Sequence, residues 1–396
     1  MQTRRTFMVM VVLVLTFSSI PAFSQKMSER DVLHQLFEKG PTSINYTSQF
    51  ASAVPHSVLD QIIDQLNGQL GTFVSVKGEK NPYSIQFEQG TATASIHLDG
   101  ESRIAGLQFL EVLPANLSLE QAVEHLLDQQ GSTSLVIRKN GKQLFAHNEN
   151  TPLAVGSAFK LAVLAAIDDA VQAQELTYDQ VVSLSPSWKS LPGGILQDWP
   201  SGTMLTIETL ATLMISMSDN TAADALFSLV GREQVEKYLS YSLPALTTGE
   251  AFRLKNPDND ALLSHYRKGT ITEKRGILSI LSRYELPQAS IFSNNPVALD
   301  IEWFMTTNQL SDLLERLAYL DLMTVNPGLA IPSSYQRVAF KGGSEPGVLN
   351  LSTFLIDKNG NSFTVSFTAN REDAPVAETD IYQSYQALLQ VLHQGK

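Results

Sequence analysis

Apolar positions recur at three-and-four spacing in two early stretches: Val32, Leu33, Leu36 and Phe37 within 27–39, and Val58, Leu59, Ile62, Ile63 and Leu66 within 55–70. That spacing predicts two amphipathic helices, the first stopped by Gly40-Pro41. Four short runs of β type follow, over 73–76, 83–87, 92–98 and 104–110, set apart by Gly78, Gly90 and Gly100. Alternation is clearest in Ser84-Ile85-Gln86-Phe87. Helices followed by an antiparallel meander predict a small α+β domain over residues 25–114.

From 115 to 396 the pattern changes. Ser118 with Gln121 is a capping box for a helix through Asp128. Strands over 133–139 and 143–147 join at Asn140-Gly141, a strong hairpin signal. Residues 161–167 are apolar on every side and predict a helix buried in the middle of its domain, yet that helix carries Lys160 near its start. A loop rich in Pro, Gly and Trp spans 185–202, an amphipathic helix starts near Thr206, and Arg337–Phe340 reads as a strand running into a glycine pair. The second domain is expected to be α+β. It should hold an antiparallel sheet from 133–148 and 336–370, with helices 118–128 and 376–393 on one face. A helical subdomain from about 170 to 320 is expected on the other.

Composition narrows the function. The 396 residues are 43% hydrophobic and 17% charged, as a globular chain requires. A net charge of −12 without a basic cluster argues against a nucleic-acid partner. There is no cysteine, so disulfides, thiolate metal sites and a cysteine nucleophile are excluded. Residues 1–24 read as a signal peptide: Arg4 and Arg5, an apolar stretch from Phe7 to Phe17, then Ala22-Phe23-Ser24 as a cleavage site. The expectation is an exported protein, periplasmic or secreted, with no stable membrane anchor after cleavage.

The candidate chemistry begins at Ser157 and Lys160. Three residues apart at a helix start, they share a face and put an amine within reach of a hydroxyl. Downstream stand Ser218-Asp219-Asn220 and Lys341-Gly342-Gly343-Ser344. No G-x-S-x-G elbow, no histidine in a motif and no H-E-x-x-H is present, so neither a Ser-His-Asp triad, a metal nor a cofactor is expected.

S-x-x-K, then S-D-N, then K-x-G is the motif set of the penicillin-recognising serine enzymes, and from Leu117 onward the chain resembles the class A β-lactamases. The interval from Ser157 to Ser218 is close to theirs, as are the flanks Leu205–Leu210 and Leu213–Asp224. The resemblance implies a β-lactamase/transpeptidase-like domain. Ser157 would attack a carbonyl and Lys160 would take its proton. Ser218 would relay a proton to the leaving group, and Lys341 would hold that hydroxyl and attract a substrate carboxylate. Asn220 would orient Lys160 and a substrate amide, and the N–H groups of Ser157 and Ser344 would form an oxyanion hole.

Two departures stand out. Gly342 occupies the position where class A enzymes carry a hydroxyl for the substrate carboxylate, a role left to Ser344 if anything. The E-x-x-L-N segment that activates the deacylating water is missing; its nearest stand-in is Glu250, for which a structural role is the competing reading. The first domain resembles NTF2-like domains in its order of elements. The whole is similar to a two-domain β-lactamase-related group that includes a protein of clavulanic-acid biosynthesis and esterases acting on cephalosporin side-chain esters. That implies weak or absent β-lactam hydrolysis together with esterase activity. Three readings follow: an esterase or amidase taking small esters or amides, a β-lactamase or DD-peptidase, and a non-catalytic binder of β-lactams or peptidoglycan fragments. Trp188 and Trp199 either rim the cleft or pack their own loop.

Overall fold

The periodic stretches near the start fold as helices with their apolar faces inward. α1 (Glu29–Lys39) is capped by Ser28 and buries Val32, Leu33, Leu36 and Phe37. α2 (Ser48–Ala53) was not legible in the pattern, because it buries only Phe50 and is defined by its Thr47 cap. α3 (His56–Leu70) buries Leu59, Ile63, Leu66 and Leu70. β1 (Phe73–Lys77), β2 (Tyr83–Phe87), β3 (Gly90–Leu98) and β4 (Ile104–Pro114) form an antiparallel sheet in chain order. Gly90 is a strand residue, opposite Phe87 and Pro114, and not the separator expected of it; the turn falls on Glu88-Gln89. The computed structural model describes residues 27–114 and 118–394, so the expected signal peptide lies outside the described residues.

The described residues divide into two compact units, one of 27–114 and 118–122 together with 383–394, the other of 123–382. α4 (Leu119–Leu127) starts at the expected capping box: Ser118 Oγ accepts from Gln121 N and Gln121 Oε1 accepts from Ser118 N.

In the second unit β5 (Ser132–Lys139) and β6 (Lys142–His147) form the hairpin around Asn140-Gly141. Next come β7 (Leu153–Ala154), a tight 3-10 turn over Gly156–Phe159, and α5 (Lys160–Gln172). β8 (Val181–Ser183) pairs with β9 (Met204–Thr206). The helical region contains α6 (Ile207–Ser216), α7 (Asn220–Val230), α8 (Arg232–Glu236), α9 (Thr248–Lys255), α10 (Asp260–Lys268) and α11 (Ile271–Leu278). β10 (Phe304–Met305) pairs with β7 and leads into α12 (Thr307–Leu317). β11 (Arg337–Glu345), β12 (Val348–Ile356) and β13 (Ser362–Asn370) precede α13 (Glu378–Gln394).

The main sheet is antiparallel in the order β11-β12-β13-β5-β6. β12 and β13 are buried along nearly their whole length, as strands covered on both faces must be. α12 lies against β13, β12 and β5, and α5 lies against α12. Leu161–Ile167 of α5 is buried throughout, so this helix is the centre of the helical core, as its all-round apolarity predicts. One expectation needs correction. Lys341-Gly342-Gly343-Ser344 does not follow the strand but belongs to it, β11 running on to Glu345 with Gly343 opposite Asn350. β11 is an edge strand, so one side of its backbone is left for a ligand.

Candidate active site

The nucleophile candidate sits at a junction pinned from two sides. Asn370 of β13 donates to Ala154 O and accepts from Ala154 N, both at 2.8 Å, tying the segment before Ser157 to the sheet. Trp303 stacks on Phe159 at 4.1 Å and donates to Leu246 O. In the 3-10 turn a residue and the third after it eclipse, which stacks Ser157 over Lys160.

Ser218 comes from the break between α6 and α7, where its φ of 57° puts a non-glycine residue in the left-handed region. Asp219 holds that break together. It caps α7 by accepting from Ala222 N, and its other oxygen accepts from Ile195 N and Leu196 N at 2.7 and 2.9 Å. The 190s loop closes over it so tightly that a Cβ on Gly194 would stand 2.2 Å from Asp219 Oδ2. Asp219 is therefore a buried brace, while its neighbours reach the cleft.

Five expected residues converge. Lys160 Nζ lies 3.1 Å from Ser157 Oγ, 3.2 Å from Ser218 Oγ, 2.6 Å from Ser218 O and 2.7 Å from Asn220 Oδ1. Lys341 Nζ lies 3.2 Å from Ser218 Oγ on its other side and donates to Gly342 O. Both amines are buried, while the hydroxyls of Ser157 and Ser218 belong to half-buried residues at the floor of the cleft. Burial drives the Lys160 pKa from its usual 10.5 down to about 7, against the upward pull of the Asp224 and Asp219 carboxylates. Burial and then the neighbouring Lys160 charge push Lys341 well below its ordinary value. A neutral Lys160 has two N–H donors and one lone pair. The two closest acceptors, Ser218 O and Asn220 Oδ1, use both donors and leave the lone pair for a hydroxyl proton. The arrangement can deprotonate Ser157 at neutral pH.

The glycine pair brings β11 against the turn. A side chain on Gly343 would meet Val155 O at 2.1 Å and Ser157 N at 2.5 Å, so only glycine allows this approach. Ser157 N lies in that contact, and Ser344 N approaches Gly156, where a Cβ would meet it at 3.3 Å. Ser344 Oγ is committed elsewhere: it donates to Glu378 Oε1 at 2.6 Å. The help expected of Ser344 in place of the hydroxyl missing at Gly342 would require its proton to leave that carboxylate.

Glu250 is not brought to Ser157. It forms the capping box of α9 with Thr247 and pairs with Arg232 at 2.7 Å, while Thr248 and Phe252 on either side line the cleft and it does not. The helix start, unrecognised in the sequence, explains the glutamate. Trp188 and Trp199 are likewise absent from the cleft wall; Trp303 lines it. Gly193, Phe340, Glu378 and Tyr382 also line it and were not anticipated. Only the Pro/Gly-rich composition of 185–202 hinted at the first, and nothing local marks the others. The cavity measures about 970 Å³, the size of a small-molecule site. Among the described residues no group of three His, Asp or Glu is placed to hold a metal ion.

The family model described as the beta-lactamase enzyme family matches residues 118–381. Beta-lactamase VEB-1 of Pseudomonas aeruginosa is 28% identical over 109 residues, which are 26% of this chain and 36% of that protein, so the match spans about a third of the relative's length. A beta-lactamase from Sphaerobacter thermophilus is similar in structure with a TM-score of 0.49 and 21% identity, covering 70% of this chain and 96% of that one. A class A beta-lactamase representative from Bacteroides cellulosilyticus has a TM-score of 0.49 and 18% identity, with 70% and 100% covered.

Proposed function

The chain belongs to the beta-lactamase enzyme family, and from that premise we propose that it is an exported serine hydrolase that cleaves small esters and amides through an acyl-enzyme on Ser157. One observation carries the reading: a buried amine with a pKa of about 7 stands 3.1 Å from the Ser157 hydroxyl. Neutral Lys160 takes the hydroxyl proton as Oγ bonds to the substrate carbonyl carbon. The carbonyl electron pair moves onto oxygen, stabilised by the N–H groups of Ser157 and Ser344. When the carbonyl re-forms, the bond to the leaving group breaks. Ser218 gives its proton to that group and recovers one from Lys160, which is neutral again. Lys341 and Asn220 hold the relay in place. Water then attacks the ester carbonyl of Ser157, passing a proton to the same amine; the bond from that carbon to Oγ breaks, Lys160 returns the proton to Oγ, and the acid leaves.

The esterase reading is favoured because Glu250 is occupied by Arg232 and Thr247, and no E-x-x-L-N segment is present to speed release of a penicilloyl group. Family membership and the intact Ser157–Lys160–Ser218–Lys341 cluster support a second reading, acylation by β-lactams with slow release. The first unit, three helices before a four-stranded meander, is proposed to be of the NTF2-like type found in the clavulanic-acid-related group.

The test is to incubate residues 25–396 with a chromogenic ester and a fluorescent penicillin beside a Ser157→Ala control. Ester turnover lost in the variant, with penicillin labelling that is slow to disappear, is the expected result. Equal ester turnover by wild type and variant would refute the mechanism. Rapid penicillin turnover would replace the esterase reading by a β-lactamase.

A further inference from the structure

We propose that Glu378, held against Ser344 at the rim of the cleft, makes the site disfavour substrates bearing a carboxylate relative to neutral or cationic ones. The proposal deepens the serine-hydrolase reading and rests on it.

Both oxygens of Glu378 are oriented by groups of the cleft wall: Ser344 Oγ donates to Oε1 at 2.6 Å and Tyr382 Oη to Oε2 at 3.1 Å. Neither donor is charged, and Glu378 has no cationic partner among the described residues. Ser344 follows Gly343, the residue pressed against Ser157 N. The carboxylate lines the same cleft as Ser157 and is one hydrogen bond from the residue whose N–H is proposed to receive the substrate carbonyl.

The other charges facing the cleft do not offset it. Its titratable lining residues are Lys341, Glu345, Glu378 and Tyr382, with no arginine among them. The Lys341 amine donates to Ser218 Oγ and Gly342 O, and burial holds its pKa well below the ordinary value, which weakens its charge toward the cleft. Glu345 pairs with Lys255 at 2.9 Å, a lysine that also serves buried Glu302. A substrate carboxylate lying along β11 would find a fixed negative charge and a serine hydroxyl whose proton is already given away. An ammonium or amide N–H would find two acceptors, the carboxylate and the Ser344 oxygen. At a partly solvated rim such a charge shifts relative affinity by about tenfold, or about 1.4 kcal/mol.

The experiment uses three aryl acetates that differ only in one ring substituent: trimethylammonio, hydrogen or carboxylate. kcat/KM is divided by each ester's hydroxide rate constant and compared between wild type and Glu378→Gln, with folding checked by thermal melting. The expected wild-type order is cationic above neutral above anionic, and in the variant the anionic-to-cationic ratio rises about tenfold. A folded variant with an unchanged ratio overturns the proposal. On wild type alone, raising the salt to about 1 M, where the Debye length is about 3 Å, should narrow the gap between cationic and anionic esters; a gap indifferent to salt overturns it as well. Equal hydrolysis of all three esters by Ser157→Ala overturns the acyl-enzyme reading itself, a result separate from any change in charge preference.

Discussion

Gly343 and Ser157 touch backbone to backbone: a Cβ on Gly343 would stand 2.5 Å from Ser157 N. The contact sets the distance between the edge strand and the turn that carries the hydroxyl. Relief of the clash in Gly343→Ala must move one of them by an ångström or so, and misplacement on that scale costs about a hundredfold in rate. The expected result is a loss of acylation of that order by single-turnover labelling, larger than the loss that melting would account for.

Burial brings the Lys160 amine to a pKa of about 7. With its pKa near 7, the neutral form needed to accept a proton is present above that pH and lost below it, so the acylation rate should rise with pH through about 7 and level off. The Asp224 carboxylate pulls this pKa upward. Asp224→Asn should therefore move the midpoint of the pH–rate profile to lower pH. A midpoint that stays in place would show that Asp224, whose own pKa burial raises to about 7, is not the charge that sets it.

Asp219 is expected to matter for stability before chemistry. Three backbone N–H groups lose their acceptor in Asp219→Ala, two of them in the 190s loop. Charge-assisted bonds of this kind predict a loss of about 3 kcal/mol, measured by urea unfolding. The freed Gly193–Leu196 segment should also raise KM, because Gly193 lines the cleft and its carbonyl accepts from Asn220 N.

Glu250 separates a helix cap from a base. Glu250→Ala removes the capping box of α9 and the pair with Arg232, at a cost of about 1–2 kcal/mol. The lifetime of the acyl-enzyme should be the same as in wild type. A lifetime extended tenfold or more, seen by mass spectrometry of the labelled protein, would put Glu250 back in the second half of the reaction.

Local order decided much of this molecule in the sequence itself. The helices α1, α3 and α5, the Asn140-Gly141 hairpin and the Ser118 cap are legible because their causes lie within a few residues: periodic apolar side chains, a turn that tolerates positive φ, a hydroxyl facing an unpaired N–H. Ser157 with Lys160 is legible for the same reason, being one turn of helix. Short α2 escaped because a single buried Phe50 makes no period, and Gly90 misled because glycine favours turns yet is still free to take the extended backbone of a strand. What tertiary structure alone decided is long-range. Ser218, Asn220 and Lys341 meet Lys160 only after three segments pack together, and the amine becomes a base only because that packing strips it of water. Glu250 and Glu378 show the difference most plainly. Both are glutamates in the first turn of a helix, one held by Arg232 away from the cleft and the other set against Ser344 at its rim. The Thr247–Glu250 capping box is a short-range signal for the first, but which of them reaches the cleft depends on Arg232 and Ser344, partners that lie many residues away in the chain.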